Sequence, residues 1–200
     1  MIHNNMHKEI SVQLLSNSCQ NKEFDTFVLL LKNDRLKKIE DFLYYGSENR
    51  NLPFDSGVYK NKACWKNVTC PMSLDGSVLI ENDSCSTDYF DSSDNYEILS
   101  EECIINLAKI DLRYNKIIIG YSLYNGCFGD IEQLKVRVLY KSTQQMLKEY
   151  IINIDNVLNS AVDGVVLSRD EKSSWILSAG TKTYNDGLSG VLDTYYEDME

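Results

Sequence analysis

Histidine is almost absent. The 200 residues hold two, His3 and His7, both within the first ten positions. This excludes a histidine base, nucleophile or metal ligand from the rest of the chain. The two imidazoles, four apart in HNNMH, are read as part of a mobile end rather than a metal site. The six cysteines (19, 64, 70, 85, 103 and 127) contain no Cys-x-x-Cys pair, which argues against zinc. They are expected as free thiols, with Cys64 and Cys70, flanking a short loop, the pair to watch for a disulfide. Walker, Gly-x-Gly-x-x-Gly, His-Glu-x-x-His and Gly-x-Ser-x-Gly motifs are missing, so no enzyme signature is present. No apolar run approaches the 18 or so residues that a membrane helix needs. The start, MIHNNMHKEI, lacks the apolar core of a signal peptide, and a cytoplasmic protein is expected.

Positive charge is missing from one long stretch. Between Lys66 and Lys109 there is no Lys or Arg, while Asp75, Glu81, Asp83, Asp88, Asp91, Asp94, Glu97, Glu101 and Glu102 supply nine negative charges. Elsewhere 20 basic residues face 21 acidic ones, so this stretch carries nearly all of the net charge of −10. Nucleic acid and anionic membrane, which need basic surfaces, are excluded as main partners. Like charges a few ångströms apart repel by about 1 kcal/mol per pair even in water. Residues 81–102 are therefore expected as a long acidic loop, either solvated or gathered around a cation.

What is present is short, apolar and β-prone. ISVQLL (10–15), FVLLLK (27–32), DFLYY (41–45), GSVLI (76–80), CIINL (103–107), KIIIGYSLY (116–124), LKVRVLY (134–140), MLKEYIINI (146–154), GVVLSR (164–169) and WILSAGT (175–181) are strand-length segments divided by Asn, Asp, Ser and Gly clusters. Ten such segments predict an all-β fold of two packed antiparallel sheets. In LKVRVLY the alternation places Leu134, Val136 and Val138 inward and Lys135, Arg137 and Leu139 outward. Residues 46–74 hold both prolines, Pro53 and Pro71, and read as loop. A short helix is the expectation within 185–199, weakened by Gly187 and Gly190. Trp175 and Tyr184 are expected in the core, Gly187 in a tight turn, and Arg137 on a solvated strand face.

The acidic stretch offers carboxylate, amide and hydroxyl oxygens without soft or imidazole ligands, which suits calcium better than zinc or copper. It is not an EF-hand: the spacing around Asp91-Ser-Ser-Asp94-Asn95 is wrong and the central Gly is missing.

The order of several motifs resembles the TerD tellurium-resistance family. WILSAGTKTYNDGLSGVL is similar to its closing motif through Trp175, Ala179, Tyr184, Gly187 and Leu188, and AVDGVVLSRDEKSSW looks like the strand and turn before it. FGDIEQLKVRV (128–138), EFDTFVLLL (23–31), DFLYYG, LDGSVLIEND and INLAKIDLRYNKIII resemble further family segments, in the right order over about residues 9–192. The resemblance implies a β-sandwich that binds calcium through clustered acidic loops. It also implies a link to tellurite and other stress resistance, with no established enzymatic activity.

Carried over residue by residue, the resemblance implies metal ligands at Glu23, Asp25 and Asp83, with Asp91, Asp94, Glu101 and Glu102 as the candidates in the lengthened acidic loop. The family's Asp-Asp-Glu run has two alignments here: Glu101 takes its Glu place when anchored on INL, and Asp94 keeps one Asp when anchored on Asp94-Asn95. Asn106 replaces a usual Asp. The expected organisation is an N-terminal segment 1–8, a sandwich domain 9–192 with an insertion at about 50–70, and an acidic tail 193–200. The expected cofactor is Ca2+, one or two ions. The expected role is a non-enzymatic interaction module, regulated by the ion, with a protein partner, no nucleic acid, no membrane insertion and no small-molecule substrate. A structural or partner-binding sandwich with a degenerate metal site is the alternative. An enzyme using metal-bound water is a third reading, motivated only by the possible ion.

Overall fold

The computed structural model describes residues 9–16, 24–51, 69–81, 88–90, 96–123, 128, 131, 134–152 and 159–196; at 88–90 and 96–100 only the strand pairing is described. Two antiparallel sheets face one another. The first has the order β11 (Met146–Ile152), β10 (Leu134–Tyr140), β1 (Glu9–Ser16), β8 (Tyr96–Asn106), β6 (Val78–Glu81), with β7 (Asp88–Phe90) also paired to β8. The second has the order β13 (Trp175–Ala179), β12 (Ala161–Arg169), β9 (Lys116–Leu123), β2 (Phe24–Leu31), β3 (Phe42–Leu43), with β14 (Thr183–Tyr184) also on β12. The ten apolar segments all fall on strands of these sheets, β10 with the bounds its alternation predicts.

The sandwich interior is built by alternation. Val12 and Leu14 of β1, Cys103 and Ile105 of β8, and Val136 and Val138 of β10 meet Val28, Leu30, Ile119, Tyr121 and Val165 of the second sheet, all buried. The opposite face of the second sheet is buried too. Phe27, Leu29, Leu31 and Ile118 pack beneath Val191 and Tyr195 of a helix, α1 (Gly187–Tyr195). The molecule thus has a third layer, and burial on both faces explains why FVLLL and KIIIG run apolar without alternating. Close approach within the second sheet requires glycine: a Cβ on Gly120 would lie 2.1 Å from the ring of its cross-strand partner Phe27.

Several expectations shift. The acidic segment is not loop throughout. Asp88 pairs with Ile98, Tyr89 with Glu97 and Phe90 with Tyr96, and β8 runs on to Asn106. The reason is β-prone composition: Tyr, Phe, Ile and Leu between the carboxylates favour a hairpin over a solvated loop. Within the expected loop 46–74, β4 (Arg50–Asn51) pairs with β5 (Cys70–Pro71). Buried Arg50 fastens them, donating to Thr69 Oγ1 (2.8 Å), Thr69 O (2.6 Å) and Tyr45 O (2.9 Å). Cys64 lies outside the described residues. Residues 193–195, grouped by sequence with the acidic tail, belong to α1, because Tyr195 is buried under the second sheet. Leu139, expected outward, is buried where the β10–β11 register shifts. Arg137 does face outward and pairs with Glu149 at 2.6 Å. Trp175 and Tyr184 are buried, and Gly187 has φ +56°, as a tight turn requires.

Candidate functional site

β8 delivers the last two carboxylates of the acidic segment to opposite faces of the first sheet. Pairing with β1 shifts register between Leu14 and Leu15, which face Glu101 and Leu99, so Ser100 is the extra residue of a bulge. Beyond it, Glu101, Cys103 and Ile105 share the inner face. Glu101 is only 8 % exposed. Its Oε2 accepts the Thr26 hydroxyl of β2, 3.1 Å away in the facing sheet. Burial raises the Glu101 carboxyl to about 8; the Thr26 bonds oppose this and the nearby Asp25 carboxylate adds to it.

Glu102 points the other way. Its Oε1 accepts Ser11 Oγ (2.5 Å), Lys141 Nζ (3.1 Å) and Gln13 Nε2 (3.4 Å). Burial works to raise this carboxyl, but those bonds hold it below its ordinary value. Lys141 also reaches Glu81 at 3.5 Å, and Glu81 is the cross-strand partner of Glu102. One ammonium therefore bridges two carboxylates that would otherwise repel.

Asp25 is half-buried on β2, opposite Ser122 of β9. It lines a 390 Å³ cleft with Ser122, Ser160 and Ser189, and with Asp186 at the start of α1. Asp186 was missed in the sequence; its position just before Gly187-Leu188 is the signal that marks a helix start. Tyr121, also of β9, is fully buried, and its hydroxyl has no hydrogen-bond partner among the described residues. Burial, together with Cys103 and Glu101, pushes that phenol well above its ordinary value.

Of the expected ligands, the structure brings Asp25 and Glu101 to one end of the sandwich and turns Glu102 away from them. Glu23, Asp83, Asp91 and Asp94 lie outside the described residues. Among the described residues no three of His, Cys, Asp and Glu gather to hold a metal. The donors that meet inside the sandwich, Thr26 and Glu101, are oxygen, and a buried phenol oxygen nearby lacks a partner; Asp25, next to Thr26 on β2, turns to the opposite face of its sheet, toward Asp186. That chemistry fits a hard cation such as calcium and does not fit a soft one.

A second buried carboxylate lies under α1. Asp163 of β12 is 2 % exposed. Its Oδ1 accepts Tyr184 Oη at 3.0 Å and its Oδ2 accepts Tyr195 Oη at 3.4 Å. Burial lifts this carboxyl to about 6, against the two phenol bonds and the charges of Lys182 and Lys116. The acid, the two tyrosines and the lysines are scattered in sequence, and no spacing announces the cluster.

Two facing antiparallel sheets, one of them covered by a helix on its outer face, define the class: a β-sandwich with one helical cap. The chain belongs to the TerD family, whose domain model matches residues 70–195. A homologue of the telluride resistance protein TerD from Streptomyces coelicolor A3(2) has a similar structure, with a TM-score of 0.55 at 15% identity, over 95% of this chain and 96% of that one. A protein of unknown function, SAV2460, is similar with a TM-score of 0.56 at 12% identity, over 90% and 91% of the two chains. These likenesses are of fold. No curated protein matches the chain. Among the described residues no helix is long and apolar enough to cross a membrane.

Proposed function

We propose that this TerD-family chain is a calcium-responsive interaction module of the tellurite-resistance and stress-response type, acting in the cytoplasm without catalysis of its own. The observation that carries the reading is the placement of Glu101. A carboxyl kept inside the sandwich, within the field of Asp25 and beside an unpartnered phenol, holds its proton up to about pH 8, and ionises at neutral pH only where a cation offsets the cost. The strand that holds Glu101 also carries the acidic segment. An ion there would tie the segment to both sheets, and a partner would read the ordered edge. Glu101 would hold the ion, with Asp25, at the same end but on the other face of its sheet, and Glu23, Asp83, Asp91 and Asp94 as further candidates, and one or two ions as the expected number.

Calorimetric calcium titration of Asp25→Asn and Glu101→Gln tests this. Each is expected to weaken binding at least tenfold, about the loss of one charged contact. Unchanged affinity in both would reject these residues as ligands.

A second reading, a partner-binding sandwich with a degenerate ion site, is favoured by the capture of Glu102 by Lys141. It predicts that chelator leaves stability and partner binding unchanged.

A further inference from the structure

The outer face of the second sheet carries opposite charge at its two ends. Asp25 and Asp186 mark one end. At the other, about six residues further along β2, a cleft of 670 Å³ opens beside the end of α1. It is lined by Arg35, Lys116 and Lys182, in a protein whose acidic residues outnumber its basic ones 30 to 20.

The walls are firmly built. Arg35 follows a two-residue turn in which Asn33 and Asp34 take φ +54° and +61°, closed by Lys32 N to Arg35 O at 3.0 Å and Arg35 N to Lys32 O at 3.2 Å. This is the tight hairpin turn that matches strand twist. The next amide, Leu36 N, donates to Tyr195 O at 2.8 Å, which fastens the turn to α1 and occupies a carbonyl of the helix's negative end. Ile118 and Val166 supply an apolar floor, and the hydroxyls of Ser168 and Thr181 also line the cleft.

Three cations line the cleft against two acids, Asp34 and Asp163, which leaves one positive charge in excess. Asp34 is taken by Lys116 in an ion pair. Asp163, the other acid of the lining, is buried and accepts both Tyr184 and Tyr195 hydroxyls. Lys182 rests its ammonium 4.4 Å from the centre of the Tyr195 ring. Neither Arg35 nor Lys182 has an ion pair among the described residues. Two cations thus border a concave site with hydroxyl donors and an apolar floor. A bare inorganic ion would leave most of the cleft unfilled, whereas Arg35 and Lys182, each outside any ion pair among the described residues, can both face one phosphate group.

We propose that this cleft binds a small phosphomonoester, with Arg35 and Lys182 as counter-charges to the phosphate, Ser168 and Thr181 as donors, and the carbon body over Ile118 and Val166. The binding is independent of the cation site at the other end of the sheet.

The test is calorimetry on the intact chain with chelator present. The probes are glycerol 3-phosphate, glucose 6-phosphate and AMP, each beside its unphosphorylated parent, with succinate as a dianion control. At least one phosphomonoester is expected to bind, and its parent is not. Arg35→Gln combined with Lys182→Gln is expected to weaken that binding at least tenfold, about the loss of a charged hydrogen bond. Lys172→Gln removes an exposed lysine outside the lining and is expected to change nothing. Should the double variant fail to fold, Arg35→Gln alone decides, because its side chain is on an exposed turn. Silence from all three phosphomonoesters, equal binding of succinate, or indifference to the cleft variants would overturn the proposal.

Discussion

The Thr26 hydroxyl donates to the Glu101 carboxylate across the gap between the two sheets, at 3.1 Å. Both side chains are buried, so neither has ready access to water in exchange. Thr26→Val keeps the shape and removes the donor. It is expected to destabilise the protein by about 1–3 kcal/mol, the usual cost of leaving a buried polar group unpaired. Urea unfolding at neutral pH measures it; a loss below about 0.5 kcal/mol would show that the bond contributes little.

Asp163 gives a pH dependence of defined sign. Its folded carboxyl sits at about 6 against an ordinary 3.8, chiefly because it is buried. A raised value means the folded state holds the proton more tightly. This group's contribution is therefore complete below pH 4 and is lost as pH rises through 6. Asp163→Asn still accepts from Tyr184 and carries no charge. Relative to the parent it is expected to gain about 2 kcal/mol between pH 4 and pH 7. Paired denaturation curves at the two pH values check the difference, and a flat difference would place the charge in a more solvated setting.

Gly120→Ala tests the packing of the second sheet against its own neighbour. The new methyl would meet the Phe27 ring at 2.1 Å and the Val162 carbonyl oxygen at 2.6 Å. The backbone oxygen cannot rotate away, so a loss of at least about 2 kcal/mol is expected. A fall in melting temperature without change in strand content by circular dichroism is the expected readout.

Lys141 holds Glu81 and Glu102 together on the outer face of the first sheet. Lys141→Met keeps the stem and removes the charge. The variant is expected to lose about 1 kcal/mol at low salt and to recover part of it at high salt, as two facing carboxylates are screened. Equal stability at low salt would show that the two acids do not repel.

The strands were legible because one-sided burial writes itself as alternation. Leu134, Val136 and Val138 alternating with Lys135 and Arg137 are the plainest case. The third layer was not legible: FVLLL is apolar on both faces, and nothing in it says that a helix 160 residues away covers one of them. The phase of Glu101 and Glu102 was hidden by the bulge at Ser100, which resets the alternation. The basic cleft was invisible for a different reason. Arg35, Lys116 and Lys182 come from three distant segments, and only the antiparallel pairing and the turn at 33–34 bring them to one rim.

Thermal melting of chelator-stripped protein with and without calcium, beside a magnesium control, tests the central claim most directly. The ion is expected to raise the melting temperature, because it binds the folded chain and leaves the unfolded one free. Glu101→Gln is expected to abolish most of that rise. An identical melt with calcium, magnesium and chelator would contradict the account and leave this chain a sandwich that needs no ion.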